Sequence, residues 1–329
     1  MRHSHLLRLA LTVCTLACMQ PGTSVAETFP DRPIKLIIPA PPGASIDVAG
    51  RAYADILSSE LKVTVVPENL PGALGQRGAQ QCALSQPDGY TLCLLFYGAM
   101  VSAPLDREAL GEKPLYDSAT AFAAVARATG HGFVLVARKE AGSTLEELRD
   151  YAKSRDKLNV GFAFPNAKIA TRLLTTIIPN VKQGVPSTSG GGEGEIMANL
   201  LSGVLEAAFV NITTIRGHLN DDRLRVVGVL GVNRSPFLPS VPSLNEQPGG
   251  TVFGTIGTWG GFVVPAGTPA DRIKILSAAT QKAAEDPKLQ AKLKALWVAP
   301  SPAPADIFAE QIRQEIGMYK KGLRASAAK

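Results

Sequence analysis

IKLIIPAPPGASID, residues 34–47, decides how the rest of the chain is read. Ile34 to Ile38 is apolar except for Lys35, with the length and β-branching of a buried strand. Pro41-Pro42-Gly43 stops it. From Ser45 to Leu61 the period changes: Ala49, Ala52, Tyr53, Ile56 and Leu57 share one helical face, with Ser45 as the predicted N-cap. Strand, tight turn and helix in that order open a βα unit. The turn carries one serine, one aspartate and no nucleophile–base pair, so it points to binding rather than reaction.

The alternation continues outward. A strand at 63–67, a helix at 74–85, the turn Pro87-Asp88-Gly89 and a strand at 90–96 complete the first set. A second set begins near Gly132, with strands at 133–137, 158–163, 205–210 and 224–230 and helices at 167–178 and 194–202. Ser143-Thr144-Leu145-Glu146 reads as a capping box that opens a helix to Arg155. After a Pro/Gly-rich loop at 235–250 come a strand at 259–264, two helices over 270–295 broken at Pro287, and a last helix from 304 to 325. The pattern predicts an α/β fold with mostly parallel sheets. The tail helices have no strands of their own and are expected to pack on the first sheet. The chain of 329 residues then divides into a discontinuous domain 1, residues 27–131 plus 252–329, and domain 2, residues 132–251.

Residues 1–26 have a basic start, an apolar run from Leu9 to Cys18 and a small-x-small ending at Ser24-Val25-Ala26, which predicts a signal peptide cleaved after Ala26. The alternative is lipoprotein processing at Cys18, after Thr15-Leu16-Ala17. The apolar run is shorter than the roughly 20 residues that span a bilayer, so a periplasmic protein without stable membrane insertion is expected. Cleavage removes Arg2 and Arg8 with no acid, taking the net charge from +6 to +4. That modest charge, without a Lys/Arg stripe or interleaved aromatics, argues against nucleic acid and fits a small anion.

Other chemistry finds no foothold. His131 and His218 have no H-x-x-x-H or Cys-x-x-Cys spacing around them, so no metal is expected. No G-x-S-x-G elbow is present, because Gly43-Ala44-Ser45 runs on into Ile46-Asp47. Gly72-x-x-Gly75-x-x-Gly78 and Gly190-Gly191-Gly192-Glu193-Gly194 lack the context of a nucleotide loop, and no cofactor is expected. Cys82 and Cys93 are either a disulfide, as export to an oxidising compartment allows, or two buried thiols.

Several motifs together resemble the periplasmic receptors of tripartite tricarboxylate transporters, the Bug family. Phe29-Pro30-Asp31-Arg32-Pro33-Ile34 with Pro41-Pro42-Gly43 resembles that family's opening. Val66-Pro67-Glu68-Asn69-Leu70-Pro71-Gly72-Ala73 and Pro87-Asp88-Gly89-Tyr90-Thr91-Leu92 resemble its V-x-N-x-P-G-A-G and P-D-G-Y-T-L. Arg234-Ser235-Pro236, Leu238 to Ser243, and Trp259 with Pro265-Ala266-Gly267-Thr268-Pro269 follow in order. The resemblance implies a two-domain periplasmic-binding-protein-like (class II) clamshell with a ligand cleft between the domains. It implies a monomeric receptor, not an enzyme, that captures a small organic acid and delivers it to membrane transporter subunits. A sensor that presents its loaded state to a membrane signalling protein is the alternative, with an exported enzyme on the same fold as a third.

Carried over residue by residue, the family's first binding loop falls on Gly43, Ala44, Ser45, Ile46 and Asp47, with Ala40 where the family has an aromatic. The second falls on Phe96, Tyr97, Gly98 and Ala99, which lack the family's hydroxyls. The third covers Phe162, Phe164, Asn166 and Lys168, and the fourth Ser189, Gly190 and Gly191. In the family's D-N pair Val210 replaces the acid and Asn211 is kept. Fewer hydroxyls and four aromatics imply a more apolar pocket, for an aromatic acid, unless those rings face the core. Lys168 is a candidate carboxylate partner or a solvated surface charge.

Overall fold

The computed structural model describes residues 28–130, 132–163, 165–181, 184–186, 192–231, 233–253 and 259–327. The first βα units are β1 (Ile34–Ile38), α1 (Ser45–Leu61), β2 (Val65–Asn69), α2 (Gln76–Ala83), β3 (Thr91–Phe96), α3 (Ala103–Ala109) and β4 (Phe122–Gly130). A 3-10 turn, Ala73–Gly75, precedes α2, and a π-helical turn, Gly98–Ser102, precedes α3. Then come β5 (Phe133–Arg138), α4 (Leu145–Lys153), β6 (Val160–Phe162), α5 (Pro165–Ile177), β7 (Gly184–Pro186), α6 (Gly192–Ser202), β8 (Ala207–Asn211), α7 (Ile212–Ile215) and β9 (Leu224–Leu230). The chain closes with β10 (Trp259–Pro265), α8 (Ala270–Glu285), α9 (Pro287–Ala295), β11 (Ala299–Pro304) and α10 (Ala305–Ala327).

Two sheets result, one ordered β11-β4-β10-β3-β1-β2 and the other β7-β6-β8-β5-β9. Both are mixed, which corrects the expectation of mostly parallel sheets. β1 runs parallel to β2 and β3, whereas β10 runs antiparallel to β3 and β4. The second sheet repeats this, with β6 parallel to β7 and β8, and β5 antiparallel to β8 and β9. β5 and β10, the first strands after each passage between the sheets, run antiparallel to their neighbours because the chain does not return there through a covering helix. β11, reached from β10 through α8 and α9, is antiparallel to β4.

The first sheet is covered on both faces. Ile34, Leu36 and Ile38 pack with Ala49, Tyr53 and Leu57 of α1 and with Leu276 and Ala283 of α8. Ile37 points the other way, into a core with Phe308, Ile312 and Ile316 of α10. This accounts for the near-continuous apolar run in β1: a strand buried on both faces has no polar side to alternate with. The tail helices therefore sit on the first sheet, and β11 adds an edge strand there. Its three prolines, Pro300, Pro302 and Pro304, are tolerated because an outer strand has one edge free of pairing.

Cys82 of α2 and Cys93 of β3 are joined in a disulfide, and both are fully buried. At α4 the cap lies one residue later than the sequence pattern suggests. Thr144 accepts from the Glu147 N–H, while the Glu147 carboxylate accepts from the Ser143 N–H.

Candidate functional site

β1, β2 and β3 are mutually parallel and end side by side, so the loops after them collect at one end of the first sheet. The turn after β1 is held by Asp47, which is 2% exposed. Its carboxylate accepts from the Gly43 N–H at 2.8 Å, Arg51 Nε at 2.9 Å and Asn69 Nδ2 at 2.8 Å. Asn69 also donates to the Ala40 carbonyl and accepts from Arg51 Nη2. Burial alone would raise the Asp47 pKa, but the donors from Gly43, Asn69 and Arg51 together hold it below the usual carboxylate range. Asp47 thus organises the turn, with its own acceptors engaged by the protein. The spacing Asp47–Arg51, four residues apart on α1, was the readable signal for this pair.

The cap of α1 is Ala44, with no side-chain hydrogen bond, and this corrects the reading of Ser45 as N-cap. Ser45 is the first helical residue instead. The first intrahelical bond runs from the Val48 N–H to the Ala44 carbonyl, so the N–H groups of Ser45, Ile46 and Asp47 have no acceptor within the helix. Gly43 takes φ +84°, a conformation open to glycine at little cost, and turns the chain so that α1 starts directly after β1. The result is the positive end of a 17-residue helix with no side chain capping it.

The second loop is largely core. Tyr97 is 5% exposed and lies edge-on to Trp259, with ring centroids 6.2 Å apart. Burial pushes its phenol pKa up, with Glu315 and Asp106 adding to the effect. Trp259 in turn donates from Nε1 to Glu315 Oε2 at 2.6 Å. Gly98 and Ala99 are buried in the π-helical turn, and the Ala99 carbonyl accepts from the Tyr116 hydroxyl. Phe96 is half-buried at the end of β3, against both cores of the sheet.

In the second sheet β6 and β8 are parallel neighbours, which puts Phe162 and Asn211 at one end. Phe162 is half-buried. Asn211 donates its N–H to Glu193 Oε1 at 2.5 Å, and the Thr214 hydroxyl donates to Glu193 Oε2. Burial raises the Glu193 pKa, and these hydrogen bonds only partly offset it. An acid therefore stands beside Asn211 although Val210 supplies none, a relation between distant residues that sequence spacing does not disclose. Asn166 lies in the first turn of α5. Phe164, Ser189, Gly190 and Gly191 lie outside the described residues, as does His131.

The two ends meet. Ile169 of α5 packs into the core around Tyr97, Met100 and Leu105, and Lys168 Nζ lies 3.9 Å from Asp106 Oδ2 on α3. Asp106 also accepts from the Tyr319 hydroxyl at 2.7 Å. Elsewhere Phe237, after β9, stacks on Trp297, before β11, with centroids 5.6 Å apart and planes 9° apart. Arg216 donates to the Ala295 carbonyl across the same boundary. Among the described residues no group of three or more His, Cys, Asp or Glu is placed to hold a metal ion, and no helix is long and apolar enough to cross a membrane.

The chain matches the family model of the tripartite tricarboxylate transporter family receptor over residues 49–320. It is 29% identical over 307 residues to BugT of Bordetella pertussis, covering 92% of each chain. Among solved structures it resembles a TctC solute-binding protein from Polaromonas, with a TM-score of 0.74 and 26% identity over 91% of this chain and 100% of that one. It also resembles MatC of Rhodopseudomonas palustris with bound malate, with a TM-score of 0.71 and 26% identity over 90% of this chain and 100% of that one. The turn, the parallel strand ends and these likenesses agree: the chain belongs to the tripartite tricarboxylate transporter receptors of the Bug family.

Proposed function

We propose that this protein is an exported receptor that holds a small carboxylate between two lobes and delivers it to a tripartite tricarboxylate-type membrane transporter. Residues 27–131 with 252–329 form one lobe and 132–251 the other, and the signal peptide is removed near Ala26. The observation that carries the reading is the start of α1, with alanine at the cap and three N–H groups without intrahelical acceptors. A carboxylate set there meets backbone donors and the helix dipole together. Charge-assisted hydrogen bonds of this kind contribute about 1.5–3 kcal/mol each, so two or three hold a small acid without any catalytic group. The malate bound to MatC supports the ligand class. Ser45 adds a hydroxyl beside these donors. Phe96 and Phe162, both half-buried, supply the apolar part that suits an aromatic acid, whereas Tyr97 belongs to the core.

The substitution Ala44→Asp tests this directly. An aspartate at the cap supplies its own carboxylate to the N–H groups, stabilises the helix by about 1 kcal/mol, and occupies the place of the ligand. In a thermal-shift and calorimetric screen of aliphatic and aromatic carboxylates, the wild-type protein binds at least one acid and Ala44→Asp binds none while melting no lower. Unchanged binding by Ala44→Asp would place the ligand elsewhere.

A further inference from the structure

We propose that Gln76 reads a hydroxyl group on the bound acid, which makes this protein a receptor for hydroxy-carboxylates; the inference rests on the receptor reading above. Gln76 is the first residue of α2, is 4% exposed, and its Oε1 is buried with no hydrogen-bond partner among the described residues. The polar side chains that shape the turn after β1 and the π-helical turn are met. Asp47 has three donors, Asn69 bonds on both sides of its amide, Ser102 donates to the Gly98 carbonyl and Tyr116 to that of Ala99. A buried amide oxygen left without a donor is costly, so this exception calls for a partner from outside the chain.

The position is right for a ligand. A side chain at the start of a helix leans back toward the helix N-terminus, which here means toward the loop ends of β1, β2 and β3. Gly75, the cap of α2, lies so close to the Phe96 ring that an added Cβ would come within 2.7 Å of it, and within 3.1 Å of Ala99. Gln76 therefore follows directly on the residue that touches the second loop. The 3-10 turn before α2 also packs on the π-helical turn that contains Gly98 and Ala99.

The chemistry of the partner follows from what an amide oxygen accepts. A carboxylate offers no donor to Oε1. An ammonium does, but the acid of the adjoining turn, Asp47, is already engaged by Gly43, Asn69 and Arg51, so a buried ammonium would find no free counter-charge in this loop system. A hydroxyl donates without bringing charge. An acid whose carboxylate sits on the start of α1 and whose hydroxyl donates to Gln76 satisfies both sites.

The test uses ligand-stripped protein and three pairs of acids that differ by one hydroxyl: malate and succinate, 2-hydroxyglutarate and glutarate, 3-phenyllactate and 3-phenylpropionate. Calorimetry on the wild type is expected to give at least about tenfold tighter binding for the hydroxy member of the pair that fits, the scale of one unmet buried acceptor. Gln76→Leu is expected to bind both members alike, with the unsubstituted acid unaffected. Its unliganded melting temperature should not fall, because the orphaned oxygen is gone. Equal affinities in the wild type, a preference that survives in Gln76→Leu, or a lowered melting temperature with the preference intact would overturn the inference alone. If none of the six acids binds the wild type while another carboxylate does, the hydroxyl assignment falls and the receptor reading stands. If no carboxylate of any kind binds, both fall.

Discussion

At the scale of single residues, Asp47 shows how a carboxylate in a binding loop can act on its own chain. Its three donors fix the turn between β1 and α1, and one of them, Asn69, ties that turn to the end of β2. Asp47→Asn keeps the shape but loses the charge toward Arg51 and turns donor hydrogens toward other donors. The expected loss is about 2 kcal/mol at neutral pH, discounted for the solvent around the half-exposed Arg51. The folded-state pKa lies below the ordinary value, so this stabilisation is complete above the unfolded value of about 3.9 and is lost as pH falls through the folded one. Urea unfolding of both proteins at pH 7 and at about pH 3 should therefore show a gap that narrows in acid. An equal gap at both would mean that the charge of Asp47 does not contribute.

At the scale of elements, the clearest constraint is the link between α2 and β3. Cys82 and Cys93 are 11 residues apart, and closing a loop of that size stabilises the fold by about 3 kcal/mol in the chain-entropy account. Alanine at both positions leaves no unpaired thiol in a fully buried place, and the double variant should lose about that much in denaturant unfolding. A midpoint that does not move would show that the link is dispensable. The elements also show what the sequence could and could not disclose. β1 and α1 are legible because a short continuous apolar run gives way abruptly to the 3.6 period at Pro41-Pro42-Gly43. β4 is not, because in Phe122–Gly130 alanine does much of the apolar work and gives little contrast with a loop. β11 is hidden by its prolines. The uncapped start of α1 was misread because serine at position 45 satisfies the usual pattern, while the backbone places the cap one residue earlier. Gln76 left no trace in the pattern, since burial without a partner is a property of the assembled loops and not of neighbouring residues.

At the scale of the whole molecule, two unlike contacts stand out between the two sheets among the described residues. One is polar and apolar together, Lys168 beside Asp106 with Ile169 set into the first core. The other is the Phe237–Trp297 stack. The Lys168 ammonium is about half exposed, so that ion pair contributes little, and the ring stack is the firmer of the two. Phe237→Ala should let the sheets move apart, seen as a larger radius of gyration for the unliganded protein in small-angle scattering. No change would mean that the contacts of α5 suffice to hold them.

The place of β10 carries a consequence for how the protein comes to exist. It lies between β3 and β4, yet it is made of residues 259–265, after every strand of the second sheet. While the chain emerges from a channel in N-to-C order, β3 and β4 wait with unpaired edges until some 130 residues have passed. The second sheet, by contrast, is drawn from one unbroken stretch, Phe133 to Leu230. It can close on its own. Long-range pairing of this sort is intrinsically slow, so the first sheet, whose central strand arrives last, is expected to complete after the second.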